Sequence, residues 1–197
     1  MYSTWDSFIL TFVPLFIVLD ALSVVPFLAA ISLGMSRKEQ RKTVNVSVFT
    51  AGIVGLVFLF FGKFILDVMG ISVGSFAIAG GIILLVLSIK YMTTGHMVDA
   101  IKEEIMAVVP IGTPLLAGPA TITTLLLLDA QFPLYMVLIS YILNIIICWI
   151  IFLGSNKVLK FLGLGGLKAI SRVFSLLLAA IAVSMVIQGL EMLGVIQ

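Results

Sequence analysis

The 197-residue chain has one cysteine, Cys148, and one histidine, His96. A lone thiol makes no intramolecular disulfide and no two-thiol electron relay, and a lone imidazole anchors no histidine-based metal cluster. Charge is scarce too: 10% of residues are Asp, Glu, Lys or Arg, against roughly 25% in soluble domains. The 11 basic and 9 acidic residues leave a formal charge of +2, which builds no field able to hold nucleic acid. The chain contains no G-x-x-x-x-G-K-[ST] phosphate loop, so no ATP machinery of that kind is expected. What it has in abundance is apolar surface, with 62% hydrophobic residues and a mean hydropathy of +1.31. Its solvent is lipid.

A helix rising 1.5 Å per residue needs about 20 apolar residues to cross a hydrocarbon core of roughly 30 Å. Six stretches meet this requirement: Phe8–Leu33, Val44–Leu66, Val73–Met92, Ile105–Leu128, Pro133–Leu153 and Val173–Leu193. The fold class expected is an all-α membrane protein with six transmembrane helices. The first stretch is too long for a signal-peptide core and has no basic residue before it, so it is expected to remain in the mature protein. Basic residues in short loops mark the cytoplasmic side. Arg37, Lys38, Arg41 and Lys42 follow span 1; Lys90 and Lys102 lie around the 3–4 connection; Lys157, Lys160, Lys168 and Arg172 lie between spans 5 and 6. Only Lys63 falls on the other side, so both termini are expected outside in a multi-pass inner-membrane protein.

The halves resemble each other. Val13-Pro14 is matched by Val109-Pro110, and Gly62–Ile71 by Ser155–Leu164. Three spans per unit would turn the second copy upside down, a plan recurrent in secondary transporters, whose substrate sites lie near the midplane. The expected division is residues 1–92 for the first repeat, a cytoplasmic linker over 93–104, and 105–197 for the second. Each repeat opens with an interrupted span: Pro14 and Pro26 flank Asp20 in span 1, and Pro110, Gly112, Pro114, Gly118 and Pro119 crowd span 4. Proline removes an amide donor, and the groups it frees persist in a membrane only where protein covers them or water reaches them. Helix breaks are expected at Pro14, Pro26, Pro114 and Pro119. A half-helix restarting at Gly118-Pro119, with Thr121, Thr123 and Thr124 in its opening turns, presents free amides and a positive dipole end to a carboxylate.

Asp20 is the one acid near the bilayer middle, roughly 18 Å along the helix from Phe8. Such a charge costs at least about 2.5–3.5 kcal/mol and therefore faces the bundle interior, a wet path or a partner. Its partner is an amide near Gly118, a coupling cation or its own proton; alternatively it only locks helices together. Asn144 and Ser140 share a helix face and either line the same cavity or act as interhelical glue. Arg172 either gates the cavity or anchors span 6 at the membrane edge. No catalytic residue and no metal site are expected: an aspartyl protease needs a second buried acid, and a thiol carrier needs a second cysteine.

At these residues the chain resembles the MarC family of six-span bacterial and archaeal inner-membrane proteins, grouped with the lysine-exporter superfamily. The family's D-P-x-G-x-x-P is met by Asp20 and Pro26, with Ala21 and Ser23 replacing proline and glycine. Its R-I-A-G-G is met by Ile78-Ala79-Gly80-Gly81, with Ala77 in the place of arginine. P-L-x-A-G-P and I-T-T appear as Pro114-Leu115, Ala117-Gly118-Pro119 and Ile122-Thr123-Thr124. R-x-x-x-L-L-L-A-A-I-A appears as Arg172 and Leu176–Ala182. The resemblance implies transport of small neutral amino acids such as glycine and alanine, with Ser23 and Pro26 left to supply the break in span 1. If the family's arginine serves substrate or Asp20, this chain uses another cation or admits a different solute.

The expected function is therefore secondary transport of a small zwitterion, with Asp20, Ser23, Gly118, Pro119, Thr121, Thr123 and Asn144 as the substrate- or ion-binding residues. No cofactor is expected beyond a coupling Na⁺ or H⁺. The expected partners are the lipid bilayer, the amino-acid substrate and, in a homo-oligomer, further copies of the chain. The alternative function is a non-transporting membrane scaffold or assembly protein.

Overall fold

A computed structural model describes residues 3–31, 35–94 and 118–196. Every regular element among them is helical: α1 (Thr4–Leu19), α2 (Ala21–Ile31), α3 (Arg37–Val68), α4 (Val73–Thr94), α5 (Pro119–Gln131), α6 (Leu134–Leu153) and α7 (Ser155–Met192). Five described segments are long and apolar enough to cross a bilayer: Thr4–Pro26, Arg37–Val68, Val73–Lys90, Leu134–Leu153 and Ser155–Met192. The expected span 4 begins outside the described residues, and α5 is its described part.

Local sequence explains the ends. Ser3 and Asp6 form a capping box at α1, with the Asp6 amide donating to Ser3 Oγ at 3.1 Å and the Ser3 amide to Asp6 Oδ2 at 3.2 Å. Ser36 and Glu39 do the same for α3, where the Ser36 amide donates to Glu39 Oε2 at 2.7 Å. Gly70, at φ +68°, turns the chain after α3, and the Ile71 amide bonds back to the Leu66 carbonyl at 2.9 Å. The longest helix departs most from the sequence expectation, because α7 begins at Ser155 rather than near Val173. Its basic first part is helical, and Gly163 (φ 65°, ψ 172°) divides it from the rest. Glycine alone adopts that backbone freely.

The break in the first span also falls elsewhere than expected. Pro14 lies inside α1 and Pro26 inside α2; the helix stops between them, at Asp20. One proline deletes a single amide and is absorbed as a bend while neighbouring bonds hold. A residue in the left-handed region ends the helix outright. Pro119 is the first residue of α5, with Gly118 as its N-cap; Pro114 lies outside the described residues.

Helices α1, α2 and α5 occupy the middle. Half of the most apolar stretch of Thr4–Pro26 is buried, against 28% to 39% for the other four spans, and α5 is buried nearly all round, at Ala120, Thr121 and Thr123 through Leu128. Helix α1 packs on α5, α6 and α7, α2 packs on α6 and α7, and the most extensive pairing joins α4 to α7. Glycine permits that pairing: a Cβ on Gly189 would come within 2.7 Å of the Gly74 carbonyl oxygen, and one on Gly81 within 2.7 Å of the Ala182 carbonyl oxygen. Small residues let backbones approach in lipid, where van der Waals contact rather than water expulsion joins helices. Gly189→Ala is accordingly expected to lower stability by about 1–3 kcal/mol through backbone overlap. Gly52→Ala, whose Cβ would meet only Ile145 Cγ2 at 3.8 Å, is expected to be neutral or to stabilise by up to about 1 kcal/mol. Thermal unfolding of the two variants in detergent micelles checks the order.

Candidate functional site

Asp20 caps α1 with φ 40° and ψ 49°, the only non-glycine residue with positive φ among those described. Aspartate enters this region more readily than larger side chains do, at a cost of about 1–2 kcal/mol. The chain restarts at once as α2, with the Ser23 amide bonded to the Asp20 carbonyl at 3.2 Å, and Pro26 offers no amide to the Leu22 carbonyl one turn before it. The carbonyl-rich end of α1 and the amide-rich end of α2 thus meet at a carboxylate that is 1% exposed. The Ser23 amide and hydroxyl are near enough to bear on that carboxylate, yet neither of its oxygens has a partner in hydrogen-bond geometry.

The α6 face opposite is a polar ladder. Ser140, Asn144 and Cys148, at four-residue spacing, are all buried. Ser140 Oγ lies 2.7 Å from Thr11 Oγ1, and the Thr11 hydroxyl also donates to the Ser7 carbonyl at 2.8 Å. Asn144 Nδ2 donates to the Phe12 carbonyl at 3.1 Å and to the Ser140 carbonyl at 2.9 Å, while its Oδ1 is buried without a partner. Cys148, the next rung, is close enough to Asp20 to interact with it electrostatically. The ladder therefore leads toward the break.

Helix α5 comes to the same region from another side. Ala120, one residue into it, joins Ile17 and Ala77 in one buried cluster, against which Val18 packs. Gly118 gives the helix no side-chain cap, Pro119 gives it no first amide, and a Cβ on Gly118 would meet nothing within 4 Å among the described residues. Thr121 and Thr124 share a face and are buried; Thr124 Oγ1 has no partner. Thr123 is used differently, since its side chain fills the space left by Gly80 on α4.

The chain can now be set beside known proteins. It matches the model for MarC family integral membrane proteins over residues 5–193. The chain belongs to the MarC family. A membrane protein of Methanocaldococcus jannaschii is 31% identical over 196 residues, covering 93% of this chain and 96% of its own. The inner membrane protein YhgN of Escherichia coli is 30% identical over 185 residues, covering 90% and 93% respectively. No solved structure matches.

In this MarC protein the break brings Asp20 and Ser23 together, Asn144 stands on the neighbouring α6 ladder, and Gly118 and Pro119 open α5. Thr121 lies in the first turn of α5, and Thr123 is turned toward α4. Sequence reasoning missed Thr11 and Ser171. Ser171 Oγ on α7 lies 2.7 Å from Ser23 Oγ, and the Ser175 hydroxyl donates to the Ser171 carbonyl at 2.8 Å. The one available signal was a row of hydroxyl residues, Ser171 and Ser175, at helical spacing in an otherwise apolar span. Arg172, beside them, is exposed, as an anchor would be. Ala77, where the family pattern has arginine, is fully buried among Ile17, Ala120 and Ala182, so methyl groups fill the position. The Thr11–Ser140 contact is the cleanest part to measure. A double-mutant cycle of Thr11→Val and Ser140→Ala, read by denaturant unfolding in micelles, is expected to give a coupling of about 0.6 kcal/mol and no more than about 1.7.

Proposed function

We propose that the protein is a secondary transporter that carries a small zwitterion, of the size of glycine or alanine, through the region where α1, α2, α5 and α6 meet. The observation that supports this reading best is the Asp20 carboxylate, buried at an interrupted helix with neither oxygen in hydrogen-bond geometry with a partner, although Ser23 lies close by. A buried carboxylate in that condition must be discharged by a proton, a metal cation or an ammonium group. The C-terminal end of α1 adds negative dipole at the same point, so the break suits the ammonium end of the solute or a coupling Na⁺ or H⁺. Ser23 and the free Oδ1 of Asn144 supply further oxygen atoms.

The opposite charge of the solute has a matching end. Gly118 gives helix α5 no side-chain cap, and the positive dipole of that helix end suits a carboxylate, with Thr121 and Thr123 in the opening turns. A zwitterion lying between the two helix ends leaves neither of its charges unpaired. Half-helices that meet substrate and ion with opposite dipole ends are the recurring device of inverted-repeat carriers. Gly70 and Gly163, which the internal match aligns, share positive φ at 68° and 65°, and this supports reading the chain as two inverted three-helix repeats. Binding and release suffice for this activity, so no bond is made or broken and an ion gradient or the solute's own gradient supplies the energy. The orientation proposed has both termini outside an inner membrane, in keeping with the basic loops and with the inner-membrane designation of YhgN.

Proteoliposomes should take up radiolabelled glycine or alanine, with Asp20→Asn lowering the flux at least about tenfold while the protein remains inserted. A fully active Asn variant, or no flux of any small zwitterion with the wild type, overturns the reading; imposed Na⁺ and pH gradients separate the two coupling ions. For orientation, a cysteine at exposed Val195 in a Cys148→Ser background is expected to react with a membrane-impermeant maleimide on intact cells. A cysteine at Lys38 should react only after permeabilisation, and the reverse pattern inverts the topology.

A further inference from the structure

Most glycines inside the membrane-crossing helices are required by packing. A Cβ on Gly55 would overlap Tyr141, one on Gly80 would overlap Thr123, and those on Gly62, Gly74, Gly81 and Gly189 would come within 3.0 Å of a neighbouring helix. Gly52 is different: a Cβ there would meet only Ile145 Cγ2, at 3.8 Å. A glycine in a helix interior is unfavourable by about 1 kcal/mol relative to alanine, and no neighbour demands this one. It forms the floor of a trough of about 570 Å³ between α3 and α6, walled by Phe49, Ile53, Leu56, Ile146 and Trp149.

The trough has a polar end and an apolar end. Asn45 Oδ1 accepts from Trp149 Nε1 at 2.8 Å at its mouth, the arrangement favoured at the level of lipid headgroups. From Asn45 to Leu56 the lining runs eleven residues, about 16 Å along the helix, close to half of a hydrocarbon core of roughly 30 Å. Beyond the mouth, Lys38, Arg41 and Lys42 are exposed and continue the lined face seven, four and three residues before Asn45. The one carboxylate in that turn, Glu39, is engaged with Ser36.

We propose that this trough is a binding site for one phospholipid with an anionic headgroup. An acyl chain lies over Gly52, and Lys38, Arg41 and Lys42 hold the phosphate. The length of the trough fits a chain in one leaflet, its lining beyond Asn45 is apolar, and the three cations select the headgroup. The site is separate from Asp20 and does not depend on transport.

Native mass spectrometry of the detergent-purified protein, titrated with phosphatidylglycerol and with phosphatidylcholine of the same acyl chains, tests the proposal. The wild type is expected to retain one phosphatidylglycerol at least about fivefold more tightly than phosphatidylcholine. The variant Lys38→Ala/Arg41→Ala/Lys42→Ala should bind the two lipids alike, and Gly52→Leu, which fills the trough, should lose most of the retained lipid whatever its headgroup. Equal retention by Gly52→Leu and wild type, or no headgroup preference in the wild type, overturns the proposal. So does a dimer without retained lipid that Gly52→Leu dissociates, since the trough then seats a second copy of the chain. If Gly52→Leu does not fold, the triple variant, altered outside the apolar stretch, decides by its headgroup preference.

Discussion

Hydrocarbon offers nothing to an unpaired polar group, so each donor, acceptor and charge within the spans must find its partner inside the protein. This constraint organises the molecule. It explains why hydroxyl and amide side chains of α1, α2, α6 and α7 are tied across helices, as in Thr11 with Ser140 and Ser23 with Ser171. It also makes the exceptions informative. The Asp20 carboxylate, Asn144 Oδ1 and Thr124 Oγ1 are buried without partners, and all three belong to the central helices or to the α6 ladder facing them. Among the described residues the unmet polarity of buried side chains is confined to these helices.

Close packing surrounds that region. The α4–α7 pair closes on itself through Gly74, Gly81 and Gly189, and Tyr141 of α6 reaches past Gly55 to donate to the Ala51 carbonyl of α3 at 2.8 Å. These contacts use backbone proximity in place of large side chains, and an added methyl group on either side has nowhere to go. Irregular backbone at the centre is thus held between tightly joined outer helices. The left-handed Asp20, costly in isolation, persists because its surroundings are fixed.

The run lengths of apolar residues made most of the helices legible in the sequence, because a bilayer sets a minimum that few soluble segments meet. The interruption in the first span was legible as a neighbourhood and not as a residue. Proline draws attention by chemistry visible in the sequence, whereas the backbone of Asp20 reflects tertiary surroundings that no local pattern encodes. The start of α7 was hidden for the opposite reason: Lys157, Lys160 and Lys168 read as a polar connection, although lysine and leucine are good helix formers and Gly163 supplies the bend. The candidate site was legible in its charged and helix-terminal members. Its hydroxyl partners were not, since Thr11 with Ser140 and Ser23 with Ser171 join positions more than a hundred residues apart, and serine and threonine are common in membrane helices.

Ala77, buried in an apolar cluster, puts a methyl group where the family pattern carries a guanidinium, so that position supplies no counter-charge to Asp20. A site balanced by its own arginine would be electrically silent when empty. An ionised Asp20 that no other charge balanced would carry one net charge within the span, and a transmembrane voltage acts on such a charge with up to about 2.3 kcal/mol per 100 mV for a full crossing. The proposed transport would then respond to membrane potential through the occupancy of a single side chain.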